Sequence, residues 1–389
     1  MTAPTRSPAS EALAPASAGE AREMVREAIA DRTPLRIAGR GTWLDAGRPV
    51  RLARTLSLAG VAGIVDYVPG DLTLTARAGT TLAEIARATG AEGQWLTLDP
   101  FGDPAGTLGA TVATGSYGPL AHLFGTPRDL VFGLEFVDGR GEVARGGGRV
   151  VKNVAGFDLV RLLAGSWGTL GAITEISVRL RARPETEATV ALPVPAGADV
   201  RGLLARLRAA PLAAHALELL SARAARAIGA GDGAVVLARI AGNADLVRGE
   251  RRTLGEIADA SDIADGDVWA RLARLEPAGT ATVRLSALPS RLAELWPVAS
   301  RACDAAEGFA HATVGRGVLR CVVPAHGAGA LAAMLAALPD GVTCIVERLP
   351  DAHWRGVAPA ADDRLSRRAR DAFDPHRLLN RGLLGEEPA

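Results

Sequence analysis

Residues 102–118 read GDPAGTLGATVATGSYG, a stretch made mostly of Gly, Ala, Thr and Ser. Such a segment packs little hydrophobic bulk, and its missing Cβ atoms let backbone approach something closely. It carries almost no charge and is interleaved with Leu108 and Val112, which sets it apart from an ordinary solvated loop. Thr107, Thr111 and Thr114 supply hydroxyls, while Gly106, Gly109, Gly115 and Gly118 remove obstruction. The plain alternative is a Gly-rich surface loop.

Two further segments share its chemistry. Gly39-Arg40-Gly41-Thr42, followed by Trp43, comes directly after the apolar run LRIAG, which predicts a strand. Two glycines flanking one residue allow successive backbone N–H groups to point into one concavity, a geometry that suits a diphosphate. The third glycine and the distant acidic residue of the dinucleotide fingerprint are missing, so a Rossmann site is not implied. Gly168-Thr169-Leu170-Gly171-Ala172-Ile173 is another Gly/Thr turn, leading into the alternating run GAITEISVRL. Each alone reads equally as a turn; together they point to an anionic ligand held by backbone dipoles.

At 389 residues the chain is long enough for two domains with proper cores. Basic and acidic residues nearly cancel, 44 against 43, and no segment gathers enough Arg for a nucleic-acid footprint. The longest apolar run, ALAAMLAALP, is too short to span a bilayer. The N-terminus, rich in Ala, Pro and Ser, lacks the apolar core of a secretory signal, and residues 1–17 are expected to be a disordered tail. Cys303, Cys321 and Cys344 form no C-x-x-C pair, which argues against an iron–sulfur cluster held by this chain and for core cysteines of a cytoplasmic protein.

Ser17 with Glu20, and Thr81 with Glu84, predict capped helices to about Asp31 and Gly90. Residues 71–79 alternate as a half-buried strand, and LVFGLEFV and GEVAR flank a hairpin at Asp138-Gly139. Beyond about residue 185 the texture changes to Arg/Ala/Leu helices with short strands at 235–242, 282–288, 310–315, 317–324 and 342–349. From 282 to 349 this order suits an antiparallel sheet with helices on one face. The expected organisation is therefore α+β: residues 18–184 as one domain, 185–350 as a smaller cap or substrate domain, and 351–389 as a C-terminal helix and tail.

The three Gly/Thr segments together resemble the FAD-binding domain shared by vanillyl-alcohol oxidase and p-cresol methylhydroxylase. Within that family, GTPRDLVFGLEFVDGRGEV, GGGRVVKNVAGFDLVRLLAGSWGTLGAITEISVRL and FDPHRLLNRG are most similar to the E subunits of bacterial glycolate oxidases. The resemblance is dense over 35–184, thin through the second domain, and returns at 371–382. It implies a two-lobed p-cresol methylhydroxylase-type FAD-binding domain with an α+β cap, and a tail that returns to the flavin. The first two segments would hold the pyrophosphate, and the third would reach the adenine end and the flavin. The candidate cofactor residues are Gly39, Arg40, Gly41, Thr42, Trp43, Thr107, Gly109, Thr111, Thr114, Gly115, Gly118, Gly168, Thr169, Gly171 and Ile173. Two positions depart from the pattern: Arg381 replaces a proline, and Trp167 replaces a glutamate.

The resemblance also implies a function: an FAD-dependent subunit of a glycolate (2-hydroxy-acid) oxidase complex. Its partners would be a homologous FAD-containing catalytic subunit and an iron–sulfur subunit. It would be cytoplasmic, or peripheral at the inner face of the membrane through that complex. Related dehydrogenases place a histidine-rich metal site in the cap; His122, His215, His311, His326, His353 and His376 show no such spacing, so no metal is expected. Residues 33–184 contain only His122 and no Cys, which predicts non-covalent FAD. Lys152 is the only lysine in the chain. Its compact ammonium is a candidate for tuning the flavin; chance in an Arg-biased sequence and a salt bridge to Asp158 are the plain alternatives. Asn380 is the second catalytic candidate, and Arg284 a candidate for a substrate carboxylate. A self-sufficient FAD-dependent oxidase or dehydrogenase, and a scaffold with structural FAD, remain open as alternative functions.

Overall fold

The computed structural model describes residues 11–50, 54–148, 158–195, 197, 200–357 and 363–385. Ser17 Oγ accepts from the Glu20 amide and starts the helix Ala18–Ala30, whose Ala21, Val25 and Ala28 turn inward at one helical face. That helix covers a small parallel sheet of β1 (Glu11–Leu13), β2 (Leu35–Ala38) and β3 (Arg54–Ser57), in the order β1-β3-β2. The segment expected to be a tail thus supplies a strand: Leu13 pairs in register with Leu56 and packs on that core.

An antiparallel sheet follows, built from β4 (Ile64–Val68), β5 (Thr73–Arg77), β7 (Val131–Val137), β8 (Val143–Gly147) and β9 (Ala172–Arg179), ordered β4-β5-β9-β7-β8. Between them, β6 (Gln94–Trp95) pairs with β10 (Arg181–Ala182). The Thr81–Glu84 capping box forms as expected and starts the helix Leu82–Gly90. The core under this sheet includes Leu74, Ile85, Leu108, Phe136 and Ile176, all at 0–1% exposure. Each such side chain contributes about 1.5–3 kcal/mol of burial.

The remaining strands make one eight-stranded antiparallel sheet. They are β11 (Thr186–Pro193), β12 (Ala216–Leu220), β13 (Val235–Gly242), β14 (Ser261–Ile263), β15 (Ala281–Ser286), β16 (Phe309–Thr313), β17 (Val318–Val323) and β18 (Thr343–Arg348). Their order is β14-β11-β13-β12-β16-β17-β15-β18. The expected strands all form, and β11, β12 and β14 join them. Helices Val200–Ala209, Ala244–Ile257, Leu292–Ala305 and Ala328–Ala336 bury Leu204, Leu254, Trp296 and Leu331 in one continuous core. In this sheet Cys321 is buried, but Cys344 is exposed on the edge strand β18, so it is not the core residue expected.

Two features join the halves. Phe101, from the segment before the Gly/Thr stretch, is 7% exposed and packs with Leu220, Ile228, Leu237 and Leu272 of the cap. The C-terminal helix Arg364–Phe373 leads into a turn where Leu379 bridges in parallel to Leu35 of β2. The chain's end therefore returns to its first lobe.

Candidate functional site

β2 ends at Ala38, and residues 39–43 curl away from its tip. Gly41 takes φ +78°, a left-handed conformation that glycine adopts without steric cost. The backbone N–H groups of Arg40, Gly41, Thr42 and Trp43 donate to no acceptor among the described residues, although all four residues line one cleft. Consecutive unpaired amides on a concave wall are an anion cradle. The Arg36 guanidinium braces the loop by donating to the carbonyls of Leu44 and Ala46 at 3.2 and 3.4 Å. Burial lowers its pKa.

The second segment is not the open loop that its composition suggested. Leu108–Thr114 is a helix, capped by Thr107 Oγ1, which accepts from the Ala110 amide. Thr111 and Thr114 donate their hydroxyls to the carbonyls of Thr107 and Ala110 at 3.0 and 2.8 Å. The amides of Leu108 and Gly109 go to Thr80 and Ala78. Those hydroxyls and amides are used inside the fold, so the helix serves the cleft chiefly as a smooth wall of small side chains. A Cβ on Gly109 would come within 2.6 Å of the Ala78 Cβ, which explains its glycine by packing.

The third turn closes the opposite side. Trp167, Gly168, Gly171 and Ile173 line the cleft together with Phe101, Asn380 and Leu383. Trp167 stacks on Trp43 with ring centroids 5.6 Å apart and an interplanar angle of 21°. The guanidinium carbon of Arg348 lies 5.2 Å from the Trp43 ring centroid, and its Nε is ion-paired to Asp45 at 3.2 Å. Asn380 accepts from the Ile37 amide and donates to the Trp167 carbonyl, so its side chain is a clamp between β2 and the third turn.

Of the expected cofactor residues, Gly39, Arg40, Gly41, Thr42, Trp43, Thr107, Gly109, Thr111, Thr114, Gly168, Gly171 and Ile173 line this single cleft. Gly115, Gly118 and Thr169 do not. Gly115 ends the helix in a left-handed cap, Gly118 lies against the Asp99 carbonyl, and Thr169 folds its hydroxyl back onto the Ser166 carbonyl. Lys152 lies outside the described residues. Sequence reasoning missed Arg36, Phe101 and Leu383 as wall residues; only their distant partners make them so.

Behind Phe101 lies a second arrangement that the sequence reading did not assemble. His311 of β16 is fully buried, its Nδ1 2.7 Å from Glu218 of β12 and its Nε2 3.0 Å from Glu276. Arg320 of β17 forms ion pairs with both Glu276 and Glu347, and Arg284 meets Glu347 at 3.3 Å. Burial pulls the His311 pKa down, but the hydrogen bonds and charges of the two carboxylates prevail and raise it. For Glu276, burial raises the pKa, while the Arg320 guanidinium and His311 outweigh it and hold the carboxyl far below its usual range. With both ring nitrogens engaged by carboxylates, His311 is a held cation rather than a free base. Arg284 belongs to the same cluster, so its guanidinium is committed to Glu347 and stacks over Tyr117 at 5.4 Å. It does not line the cleft. The available signal was a charged residue inside an apolar strand: LELL, VRLS, VLRCVV and IVERL.

A cleft walled by a glycine loop, a capped short helix and a Gly/Thr turn, between two lobes and an antiparallel cap sheet, defines a p-cresol methylhydroxylase-type FAD fold. The solved structure of p-cresol methylhydroxylase with substrate bound superposes with a TM-score of 0.75 at 15% identity, covering 97% of this chain and 88% of that one. Residues 9–147 match the family described as FAD binding domain, which makes FAD the cofactor. The chain is similar to glycolate oxidase subunit GlcE of Escherichia coli (strain K12), 45% identical over 164 residues, 42% of this chain and 46% of that protein. It is also similar to glycolate oxidase subunit GlcD of Bacillus subtilis (strain 168), 34% identical over 179 residues, 46% of this chain and 38% of that one. The aligned part spans less than half the length of either relative. Among the described residues, no helix is long and apolar enough to cross a membrane.

Proposed function

We propose that this chain is the FAD-binding subunit of a glycolate (2-hydroxy-acid) oxidase complex, an FAD-dependent oxidoreductase whose electrons pass to an iron–sulfur partner. The carrying observation is the cleft, which residues 40–43, with four amides unpaired among the described residues, line together with a wall of small side chains. The similarity to two glycolate oxidase subunits supports the choice of substrate class.

When bound, FAD would supply an electron acceptor within the complex. The chain's own groups do the holding. The amides of residues 40–43 bind the diphosphate, Arg36 keeps their loop in place, and Asn380 fixes the distance between β2 and the third turn. The Trp43–Trp167 stack and Phe101 give the cleft apolar walls. The described residues lining the cleft include Asp103 but no His, Cys or Lys, and the buried His311 has no free nitrogen. A hydroxyl proton needs a base within hydrogen-bond reach of the same substrate that gives up the hydride. The proposal therefore assigns both the proton and the hydride to the homologous catalytic partner, with this chain's FAD serving electron transfer within the complex.

Expressed alone, the protein should bind FAD yet reduce a dye with glycolate or D-lactate only at background rates. Co-expression with a catalytic flavoprotein and an iron–sulfur subunit from the same host should restore turnover. Robust turnover by the isolated chain would replace this reading with a self-sufficient dehydrogenase.

A further inference from the structure

A second cavity, of about 330 Å³, lies beside the cofactor cleft. Pro100 and Gly102 line both, so the segment before the Gly/Thr stretch is a partition with a ligand space on each face. One wall is the helix Leu82–Gly90, presenting Leu82 and Ala86; the other is the cap helix Val268–Ala273, presenting Ala270 and Ala273. The seam is held by the Gly102 amide, which donates to the Ala273 carbonyl at 2.7 Å. Alanines on both helices leave the space open. Its volume falls at the lower end of the range for small-molecule pockets, and seams between domains are a common place for them.

Three ionisable side chains give this cavity its chemistry. Arg183 is fixed by donating from Nε to the Gln94 carbonyl at 3.2 Å. Arg274 is exposed at the rim, and its guanidinium has no hydrogen bond or ion pair among the described residues. Asp99 is on the inner wall, its two carboxyl oxygens accepting from the Leu120 amide at 3.3 and 3.1 Å. Its pKa is pushed up to about 7, chiefly by burial and further by the Glu218 charge, against the pull of the Leu120 amide and Arg239. Its carboxyl therefore holds its proton to a higher pH than an ordinary aspartate does.

We infer that this cavity is a binding site for a small apolar monocarboxylate, its carboxylate on Arg274 and Arg183 and its hydrocarbon body against Leu82, Ala86 and Leu98. Two guanidiniums at the site exclude a cationic ligand. Arg183 already spends its Nε on the Gln94 carbonyl, and the open planar fork of Arg274 matches a single carboxylate in bidentate geometry. The apolar wall demands a body of several carbons, which separates this ligand from glycolate. The site lies on the far side of the partition from the cofactor cleft and stands whether or not the chain turns over a 2-hydroxy acid.

The test uses 4-fluorobenzoate and hexanoate as probes on the full chain, with and without bound flavin. Fluorine NMR line broadening and calorimetry should both show one saturable site per chain in either form. Hexanol, which lacks the charge, and glycolate, which lacks the body, should each bind at least tenfold more weakly. Ala86 and Arg274 are exposed, so their variants should fold. Ala86→Trp should abolish probe binding by filling the cavity, and Arg274→Glu should weaken it at least tenfold, both at wild-type flavin content and melting temperature. Absence of saturable binding, undiminished affinity in Ala86→Trp, or hexanol binding as tightly as hexanoate would each overturn the inference.

Discussion

The Asn380 amide nitrogen donates to the Trp167 carbonyl at 2.6 Å, although the two residues are 213 positions apart. Its oxygen accepts from the Ile37 amide at 2.8 Å, so one side chain sets the spacing of two cleft walls. Asn380 is 3% exposed and sits at φ +46°, a left-handed conformation that Asn tolerates better than most residues. Replacing it with Ala leaves a half-buried N–H and a half-buried carbonyl without partners, each costing up to about 1–3 kcal/mol. Asn380→Ala should lose about 2–4 kcal/mol in urea unfolding and purify with less flavin. An unchanged midpoint and flavin content would show that the clamp is dispensable.

Gly41→Asp should abolish flavin binding. The substitution puts a Cβ at φ +78° and a carboxylate beside the four free amides, where an anion is meant to sit. The ratio of visible to ultraviolet absorbance of the purified protein measures this directly, and a wild-type ratio would remove the loop from the site.

The flavin should be non-covalent. The described residues lining the cleft contain no His, Cys or Tyr to form a tether. Acid precipitation should release all the yellow colour into the supernatant. Colour that stays with the pellet would point to a tether from outside that lining.

The His311 cluster should make stability depend on pH with a defined sign. The folded pKa of His311 is raised above its ordinary 6.5, so its contribution is complete below about 6.5 and is lost as pH rises through the folded value. Glu276 has the opposite sense. Its folded pKa is depressed below 4.5, so its contribution is present above that pH and is lost only as pH falls through the much lower folded value. His311→Leu leaves Glu218 and Glu276 without this partner in a fully buried site. It should cost about 3–5 kcal/mol at pH 6, and the deficit relative to wild type should shrink at higher pH. Urea titrations of both proteins at pH 6 and pH 9 check it; equal deficits at both would remove His311 from the pH dependence.

Much of the architecture was legible because the forces that set it act over a few residues. Thr81 and Glu84 announce their helix by a capping box that closes within one turn. The β13 run VVLARIAG is apolar enough to predict a strand wherever it sits, and the strand spans those residues, Val235–Gly242. Gly41 marked the cleft because a left-handed turn at a strand end is a local demand of the backbone, whereas Gly39 is small because a Cβ there would meet Thr107 Oγ1 at 2.5 Å. The short strand β1 escaped because three residues carry no periodicity; only pairing with Arg54–Leu56 makes them a strand.

What the tertiary structure alone decided are the contacts whose partners lie far apart in the chain. Composition made Thr111 and Thr114 ligand donors, but helix formation from Leu108 turned their hydroxyls onto carbonyls one turn back. Gly109 lines the cleft, but its lack of a side chain is also demanded by Ala78, which a Cβ there would meet. Arg284 was a candidate for substrate until β18 set Glu347 beside it. His311 became a buried cation only because β12 brings Glu218 to one ring nitrogen while Glu276, just ahead of β15, meets the other. The sequence by itself determined where the backbone could turn and which runs could bury a face, since those follow from steric and hydrophobic periodicity. Which charges would meet depended on strand order, and strand order is fixed by packing of the whole chain.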